Sequence, residues 1–120
     1  MNIANKTIIL TGAASGIGQA LLTHLAQYNT TIIAVDLNET QLTNTIQQLG
    51  DTQAKIISCI ANLTQQADVD QVFEFAHQHT DHIDIFIANA GFAYYEKIEG
   101  ADWHTSLEHF TPIVVSDLKN

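Results

Sequence analysis

The stretch that decides the fold is Thr11-Gly12-Ala13-Ala14-Ser15-Gly16-Ile17-Gly18, which follows the apolar run Lys6–Thr11. The hydrophobic pattern predicts a buried strand that ends in this stretch and a helix that begins within it. The first glycine can turn the chain off the strand, the second lets backbone amides approach a pyrophosphate, and the third lets the helix pack on the sheet. Free N–H groups and the helix dipole would stabilise a diphosphate there without a basic side chain. The candidate binding residues of this glycine turn are Gly12, Ser15, Gly16 and Gly18.

Three further apolar runs rich in Ile and Val do not alternate with polar residues, which is typical of strands buried on both faces. They are Thr31–Asp36, Ala54–Ile60 and Ile83–Asn89. The segments between the runs have helical spacing, with apolar stripes at Ile17, Leu21 and Leu25, at Leu42, Ile46 and Leu49, and at Val69, Val72 or Phe73, and Ala76. The order β-α-β-α-β-α-β predicts an α/β fold with a Rossmann-like, doubly wound parallel sheet of strand order 3-2-1-4. A crevice is expected where the chain reverses direction, between the first and fourth strands.

Asp36 ends the second predicted strand, eighteen residues after Gly18. This is close to the spacing of a carboxylate that accepts hydrogen bonds from the adenosine ribose of a dinucleotide. The same carboxylate would repel a 2′-phosphate, and no basic residue lies in the glycine turn or just after Asp36. The sequence therefore predicts NAD as cofactor in preference to NADP.

Composition excludes several classes of protein. The chain of 120 residues is expected to be one domain, and its four lysines against thirteen acidic residues give a net charge of −9 without any arginine. Such a chain is a poor partner for nucleic acid or for an anionic membrane. No apolar run reaches the roughly 20 residues that span a bilayer, and the start does not resemble a signal peptide, so we expect a cytoplasmic protein.

A single cysteine and a cluster of histidines are the other candidates for a reactive or metal-binding site. Cys59 lies inside an apolar run and is interpreted as a small core residue. The cluster of His77, His79 and His82 lacks convincing ligand spacing, because the first two point to different faces of a helix, and no metal site is predicted.

The glycine turn resembles the Thr-Gly-x-x-x-Gly-x-Gly motif of the short-chain dehydrogenase/reductase family. The family's Asn-Asn-Ala-Gly after the fourth strand appears as Ala88-Asn89-Ala90-Gly91, and its Asp-Leu or Asp-Val after the third appears as Asn62-Leu63. The resemblance implies that Asn62 and Leu63 border the adenine and that Ile17 lies near the diphosphate. It also implies that Asn89, Ala90 and Gly91 carry the adenosine ribose and steady the sheet, although position alone also fits Asn89 as a strand-end turn residue.

The resemblance extends from about Lys6 to Trp103 and then fades, so we predict a dinucleotide-binding domain over 1–103 and a divergent tail over 104–120. The family's catalytic Ser and Tyr-x-x-x-Lys lie beyond its fifth strand and are not evident. Tyr94 and Tyr95 precede Lys97 by three and two residues rather than four. The resemblance therefore implies the NAD(H)-binding, N-terminal half of an oxidoreductase that transfers hydride between nicotinamide and a carbonyl or alcohol. We expect this truncated chain to be inactive alone, and we assign no catalytic residue and no substrate.

Three alternatives stay open at this point. Residues 112–116 fit either the extension of a helix from near Ala101 or a displaced fifth strand at Ile113–Val115. If the sheet stops at the fourth strand, Ile83–Ala88 becomes an apolar edge, and we then expect homo-oligomers through that strand or through exposed apolar surface. The chain as a whole could also be a non-catalytic nucleotide-binding module or a self-associating remnant that binds nothing.

Overall fold

A computed structural model describes residues 3–63, 66–89 and 111–114 of the chain as a parallel sheet with helices on both faces. The elements are β1 (Thr7–Thr11), α1 (Gly16–Leu25), β2 (Thr31–Asp36), α2 (Glu39–Leu49), β3 (Lys55–Ile60), α3 (Gln66–His79), β4 (Ile85–Ala88) and β5 (Thr111–Val114). The strand order is β3-β2-β1-β4-β5, and each neighbouring pair is parallel. This confirms the predicted α/β class and the order 3-2-1-4, to which the structure adds a fifth strand.

The middle of the sheet is buried from solvent. Every residue of β1 and β4 is buried, as are the four central residues of β2, as the unbroken apolar runs predicted. The prediction of burial on both faces was wrong for β3, where Lys55, Ser58 and Ile60 are exposed. In the described part of the sheet β3 pairs with β2 alone, and this outermost position leaves part of its surface in water.

The helices pack on opposite faces of the sheet. Residues of α1 and α2 share one apolar cluster with alternate residues of β1 and β2, and residues of α3 share another with the intervening ones. The stripe predicted for α2 is confirmed by Leu42, which is fully buried, with Ile46 and Leu49 packed beside it. The stripe predicted for α3 is confirmed as well, because all of its members are buried, namely Val69, Val72, Phe73 and Ala76.

The stripe predicted for α1 is confirmed for Leu25, which is buried, and for Leu21, which packs half-buried beside the same apolar cluster, but it was wrong for Ile17. Gly18, Leu22 and Leu25 are its buried residues, whereas Ile17 is 46% exposed. The cause lies at the start of the helix, where Gly18 faces the backbone carbonyl of Gly12 so closely that a side chain would overlap it. That contact turns the 18-22-25 face toward the sheet and leaves Ile17 at the surface.

β5 answers the open question for residues 112–114, since Thr111–Val114 forms a strand parallel to β4, while residues 115 and 116 lie outside the described part of the chain. It begins two residues before the predicted Ile113. The expectation that Ile83–Ala88 forms an open edge was wrong, because β4 pairs with β1 on one side and with β5 on the other. Association through the fourth strand therefore loses its basis. The division of the chain at residue 103 stays a prediction, and β5 lies within the segment 104–120.

Hydrogen bonds hold the amino ends of β1 and β4 together. The amide of Thr7 donates to the carboxylate of Asp84 (2.8 Å), and the amide of Asp84 donates to the carbonyl of Thr7 (2.9 Å). The Asp84 carboxylate also contacts the imidazole of His82 at 3.1 Å. These bonds fix the two strands side by side, so that their carboxyl ends finish at the same level.

The contrast between the sheet centre and its β3 edge is testable with one substitution made at two places. Ile33→Val removes a methylene from a fully buried site in β2, and we expect it to lower the free energy of unfolding by about 0.5–1.5 kcal/mol. Ile60→Val removes the same group from a side chain that is 45% exposed, and we expect a change within about 0.5 kcal/mol. Urea denaturation followed by circular dichroism measures both, and equal losses would contradict this description of the core.

Candidate functional site

The carboxyl ends of the parallel strands form one edge of the sheet, called here the carboxyl edge. The glycine turn follows β1, Asp36 ends β2, Asn62 follows β3 and Asn89 follows β4. Because parallel strands finish at the same edge, these residues lie around the point where the strand order reverses between β1 and β4. This is where ligands bind in open α/β sheets.

Gly12 and Gly18 are required by the packing of the chain itself. Gly12 has φ of 65°, which favours glycine, and a Cβ there would overlap the backbone carbonyl of Asn89. A Cβ at Gly18 would overlap the carbonyl oxygen of Gly12 and approach the Asn89 side-chain amide. The two glycines thus allow β1, α1 and the end of β4 to meet at one point.

Asn89 closes this junction with two hydrogen bonds. Its side-chain Nδ2 donates to the carbonyl of Gly12 (3.2 Å), and its backbone amide donates to the Thr11 hydroxyl (2.9 Å). The Thr11 hydroxyl in turn donates to the carbonyl of Ile87 (3.4 Å). Thr11 and Asn89 are both buried, so these polar groups are paired away from water. The ribose contact expected of Asn89 stays a prediction.

Gly16 differs from the other two glycines. It is exposed, and nothing in the described structure lies within 4 Å of the place that a Cβ would occupy. Ser15 is the N-cap residue of α1, but its side chain caps no helix amide and donates instead to the carbonyl of Gly12 (3.1 Å). The first intrahelical bond runs from Gln19 to the carbonyl of Ser15 (2.8 Å). The amides of Gly16, Ile17 and Gly18 therefore precede the helical ladder and can donate to an anion.

Asp36 lies beside the glycine turn, as its position at the end of β2 predicts. One of its oxygens, Oδ2, accepts a hydrogen bond from the amide of Ala14 (2.9 Å), and Oδ1 accepts one from the amide of Asn38 (3.0 Å). Asn38 caps α2 by accepting from the amide of Gln41 (3.0 Å). Sequence reasoning missed Ala14, since a backbone donor has no side-chain signature; only the register of β1 and β2, which pairs Thr11 with Val35, indicates it.

The remaining candidates are spread along the same edge. Asn62 is exposed, and Leu63 is half-buried against the apolar cluster under α3. The amide of Ala61 donates to the backbone carbonyl of Asp36 (3.1 Å), which places the start of this segment next to β2. The predicted residues Ala90 and Gly91 lie outside the described part of the chain, as do Tyr94, Tyr95 and Lys97.

Two exposed apolar side chains at the carboxyl edge were also missed by sequence reasoning. Leu37, next to Asp36, is 64% exposed, and Ile60, which pairs with Asp36 across β2 and β3, is 45% exposed. Ile60 ends β3 and was predicted to be buried with the rest of its apolar run, whereas Leu37 follows β2 and belonged to no predicted run or stripe. Together with Ile17 they give the polar edge an apolar component.

Charges and nucleophiles are sparse at this edge. The two described lysines, Lys6 and Lys55, precede β1 and begin β3, at the opposite edge of the sheet. Burial raises the pKa of the Cys59 thiol, which favours the neutral form. Within residues 3–63 and 66–89, no group of three or more His, Cys, Asp or Glu side chains is placed to hold a metal ion. No helix in the same residues is long and apolar enough to cross a membrane.

Comparison with known proteins gives consistent matches. The family model described as short chain dehydrogenase matches residues 6–112. An uncharacterized oxidoreductase of Staphylococcus epidermidis is 34% identical over 109 residues, which are 88% of this chain and 46% of that protein.

Solved structures of similar fold also match the chain. The 3-ketoacyl-(acyl-carrier-protein) reductase of Brucella melitensis, complexed with NADH, superposes with a TM-score of 0.65 at 28% identity over 75% of this chain and 36% of that one. The L-sorbose reductase of Gluconobacter frateurii, complexed with NADPH and L-sorbose, gives 0.69 at 25% identity over 75% and 35%. The chain spans less than half the length of each of these proteins.

The different surroundings of Gly18 and Gly16 predict that the same added methyl group will change the free energy of unfolding by different amounts. Gly18→Ala is expected to lower the free energy of unfolding by roughly 1–3 kcal/mol or more, because the Cβ meets backbone atoms that cannot move cheaply. Gly16→Ala is expected to change it by no more than about 0.5 kcal/mol, since its Cβ enters open space. Thermal and urea unfolding measure both variants. A Gly16→Ala protein as unstable as Gly18→Ala would contradict the geometry of the turn.

Proposed function

The chain belongs to the short-chain dehydrogenase family, and from this premise we propose that its carboxyl edge binds the adenosine diphosphate part of a nicotinamide dinucleotide. When bound, the nicotinamide ring supplies or accepts the hydride of an oxidoreductase reaction. The observation that carries the proposal is the geometry of the glycine turn. The first amides of α1 have no acceptor within the helix, and nothing in the described structure occupies the space where a Gly16 side chain would lie.

The diphosphate would be held by backbone groups. The amides of Gly16, Ile17 and Gly18 precede the helical ladder of α1, and the positive end of the helix dipole lies at the same place. The absence of a Cβ at Gly16 leaves room for phosphate oxygens to approach these donors. The Ser15 hydroxyl, which donates to the carbonyl of Gly12, keeps the turn in the shape that exposes them.

The adenosine would lie toward β2 and β3. The Asp36 carboxylate can accept hydrogen bonds from the ribose hydroxyls, because each of its oxygens has a lone pair beyond the one used by a backbone amide. Leu37 and Ile60 offer exposed apolar surface next to it, which suits the face of an adenine ring. Asn62 is exposed at the same edge and can donate to and accept from the adenine edge.

We propose NAD in preference to NADP. A 2′-phosphate would stand against the Asp36 carboxylate, and both described lysines are at the opposite edge of the sheet. The solved relatives include complexes with NADH and with NADPH, so family membership does not decide the preference. Asp36 is therefore the residue on which the choice depends.

We propose that this chain binds the cofactor without turning it over. The family's catalytic Tyr and Lys are four residues apart, whereas Tyr94, Tyr95 and Lys97 have other spacings, and no catalytic residue is assigned. The longer relatives it matches are named as reductases or oxidoreductases, and hydride transfer to a carbonyl or from an alcohol is the proposed activity of a complete enzyme. A cytoplasmic location and homo-oligomers formed through exposed apolar surface belong to the same proposal.

A titration with NADH and NADPH, followed by cofactor fluorescence, tests the binding proposal. We expect saturable NADH binding that is stronger than NADPH binding. Gly16→Val should weaken NADH binding at least about tenfold, or 1.4 kcal/mol, because its side chain fills the approach to the amides.

The matched control is Thr43→Val on an exposed position of α2, which should bind NADH like the unchanged chain. Circular dichroism establishes that each variant is folded. A folded chain that binds neither cofactor would overturn the proposal and favour an inert, self-associating remnant.

Turnover is a separate test. The purified 120-residue chain, incubated with NAD and a panel of alcohols, should form no NADH above the rate of a blank without protein, because the Tyr-x-x-x-Lys pair that activates the substrate oxygen is not evident in its sequence. NADH formation that scales with protein concentration and is lost in Gly16→Val would show that this chain is itself an enzyme.

A further inference from the structure

We propose that Asp36 is a positioning residue for the glycine turn and that it controls cofactor choice through the Ala14 amide as well as through its own charge. The first half of this inference concerns the protein without ligand. The second half, the effect on cofactor choice, rests on the proposed function.

The geometry places Asp36 between two loops at the carboxyl edge. Its Oδ2 accepts from the amide of Ala14, in the middle of the glycine turn, and its Oδ1 accepts from the amide of Asn38, the N-cap residue of α2. The amide of Ala13 also donates to the carbonyl of Val35 (3.0 Å), so two successive amides of the turn are bound to the end of β2. The turn is therefore tied to β2 before any ligand arrives.

A role at the ribose alone does not require this arrangement. A carboxylate that served only the ribose hydroxyls would need no contact with the turn that carries the diphosphate-binding amides. Hydrogen bonds from a backbone amide to a carboxylate are among the stronger ones, and with Asp36 in place Ala14 is nearly fully buried, so the carboxylate takes the place of water as the acceptor of its amide. Loss of the carboxylate should therefore loosen the turn as well as the ribose site.

The same bond affects the choice between the two cofactors. An amide occupied by Asp36 cannot donate to a 2′-phosphate, whereas the same amide without its acceptor would be a backbone donor of the kind that anions use. Asp36 thus discriminates against the 2′-phosphate in two ways, by repelling its charge and by occupying a donor that could bind it.

Two substitutions separate these effects. Asp36→Ala removes both the charge and the acceptor. Asp36→Asn removes the charge but keeps one oxygen, which should face the buried Ala14 amide, because the exposed Asn38 amide can turn to water instead. Glu39→Ala is the matched control, since it removes an exposed carboxylate three residues away that begins α2.

The first measurement uses the protein without ligand. In ¹H–¹⁵N spectra, the Ala14 amide proton should move upfield and exchange faster with solvent in Asp36→Ala. It should stay near its original position in Asp36→Asn and in Glu39→Ala. The amide of Ile9 in β1 reports whether the sheet remains folded. An Ala14 amide that is unchanged in a folded Asp36→Ala protein would overturn the positioning role.

The second measurement compares the affinities for NADPH and NADH. The ratio of NADPH to NADH affinity should rise in both Asp36 variants and rise at least about threefold further in Asp36→Ala, because only there is the Ala14 amide free to donate. Glu39→Ala should leave the ratio within about twofold, as expected for an exposed charge. An equal rise in Asp36→Ala and Asp36→Asn would overturn the second half of the inference.

The two proposals fail in different ways. If the Ala14 amide responds as expected but no form of the protein binds either cofactor, the positioning role stands, and the proposed function together with the inferred effect on cofactor choice is overturned. If the unchanged protein binds NADH but the Ala14 amide does not respond to Asp36→Ala, the proposed function stands and the positioning role is overturned.

Discussion

The contact on which the site depends is the one between the carbonyl of Gly12, the Cα of Gly18 and the side chain of Asn89. Three elements meet there, namely the end of β1, the first turn of α1 and the end of β4. A side chain at either glycine would overlap backbone atoms, so the approach is possible only because both positions lack a Cβ. The contact sets the rotation of α1 and the place where the reversal of strand order opens.

Around this contact the hydrogen bonds of the carboxyl edge form two connected groups. Asn89 and Thr11 tie β4 to β1, and Asp36 ties the glycine turn to the start of α2. The backbone amides of the glycine turn therefore fall into two groups. Those of Ala13 and Ala14 are used inside the protein, whereas those of Gly16 to Gly18 remain at the open end of a helix. A site built from backbone donors suits an acidic chain that has no arginine, because it needs no basic side chain to bind an anion.

The fold class, the order of the first four strands and the place of the glycine turn were predictable because the sequence signals for them are local. The unbroken apolar runs and the helical spacing between them gave the class and the order of the first four strands, and the glycine spacing located the turn. What sequence patterns missed depends on contacts between distant residues. The face of α1 is set by Gly18 against Gly12, and the exposure of Ile60 is set by the outer position of β3.

For related reasons, the fifth strand stayed one of two alternatives and the contact of Asp36 with the Ala14 amide was not predicted. Thr111–Val114 joins β4 across a long stretch of chain, and periodicity over so few residues separates strand from helix poorly. The Ala14 amide is a backbone donor, which any residue type except proline supplies. A carboxylate at the end of β2 could therefore be assigned to a ligand from its spacing, while its contact within the protein could not.

Whether the carboxyl edge binds a nicotinamide dinucleotide through the amides at the start of α1 can be mapped from ¹H–¹⁵N shift changes as NAD is added. We expect the largest changes at Gly16, Ile17 and Gly18 and in the residues next to Asp36, with the amides of Lys6 and Lys55 at the opposite edge unaffected. Saturation without change at the glycine turn, or changes centred on the opposite edge, would contradict this expectation.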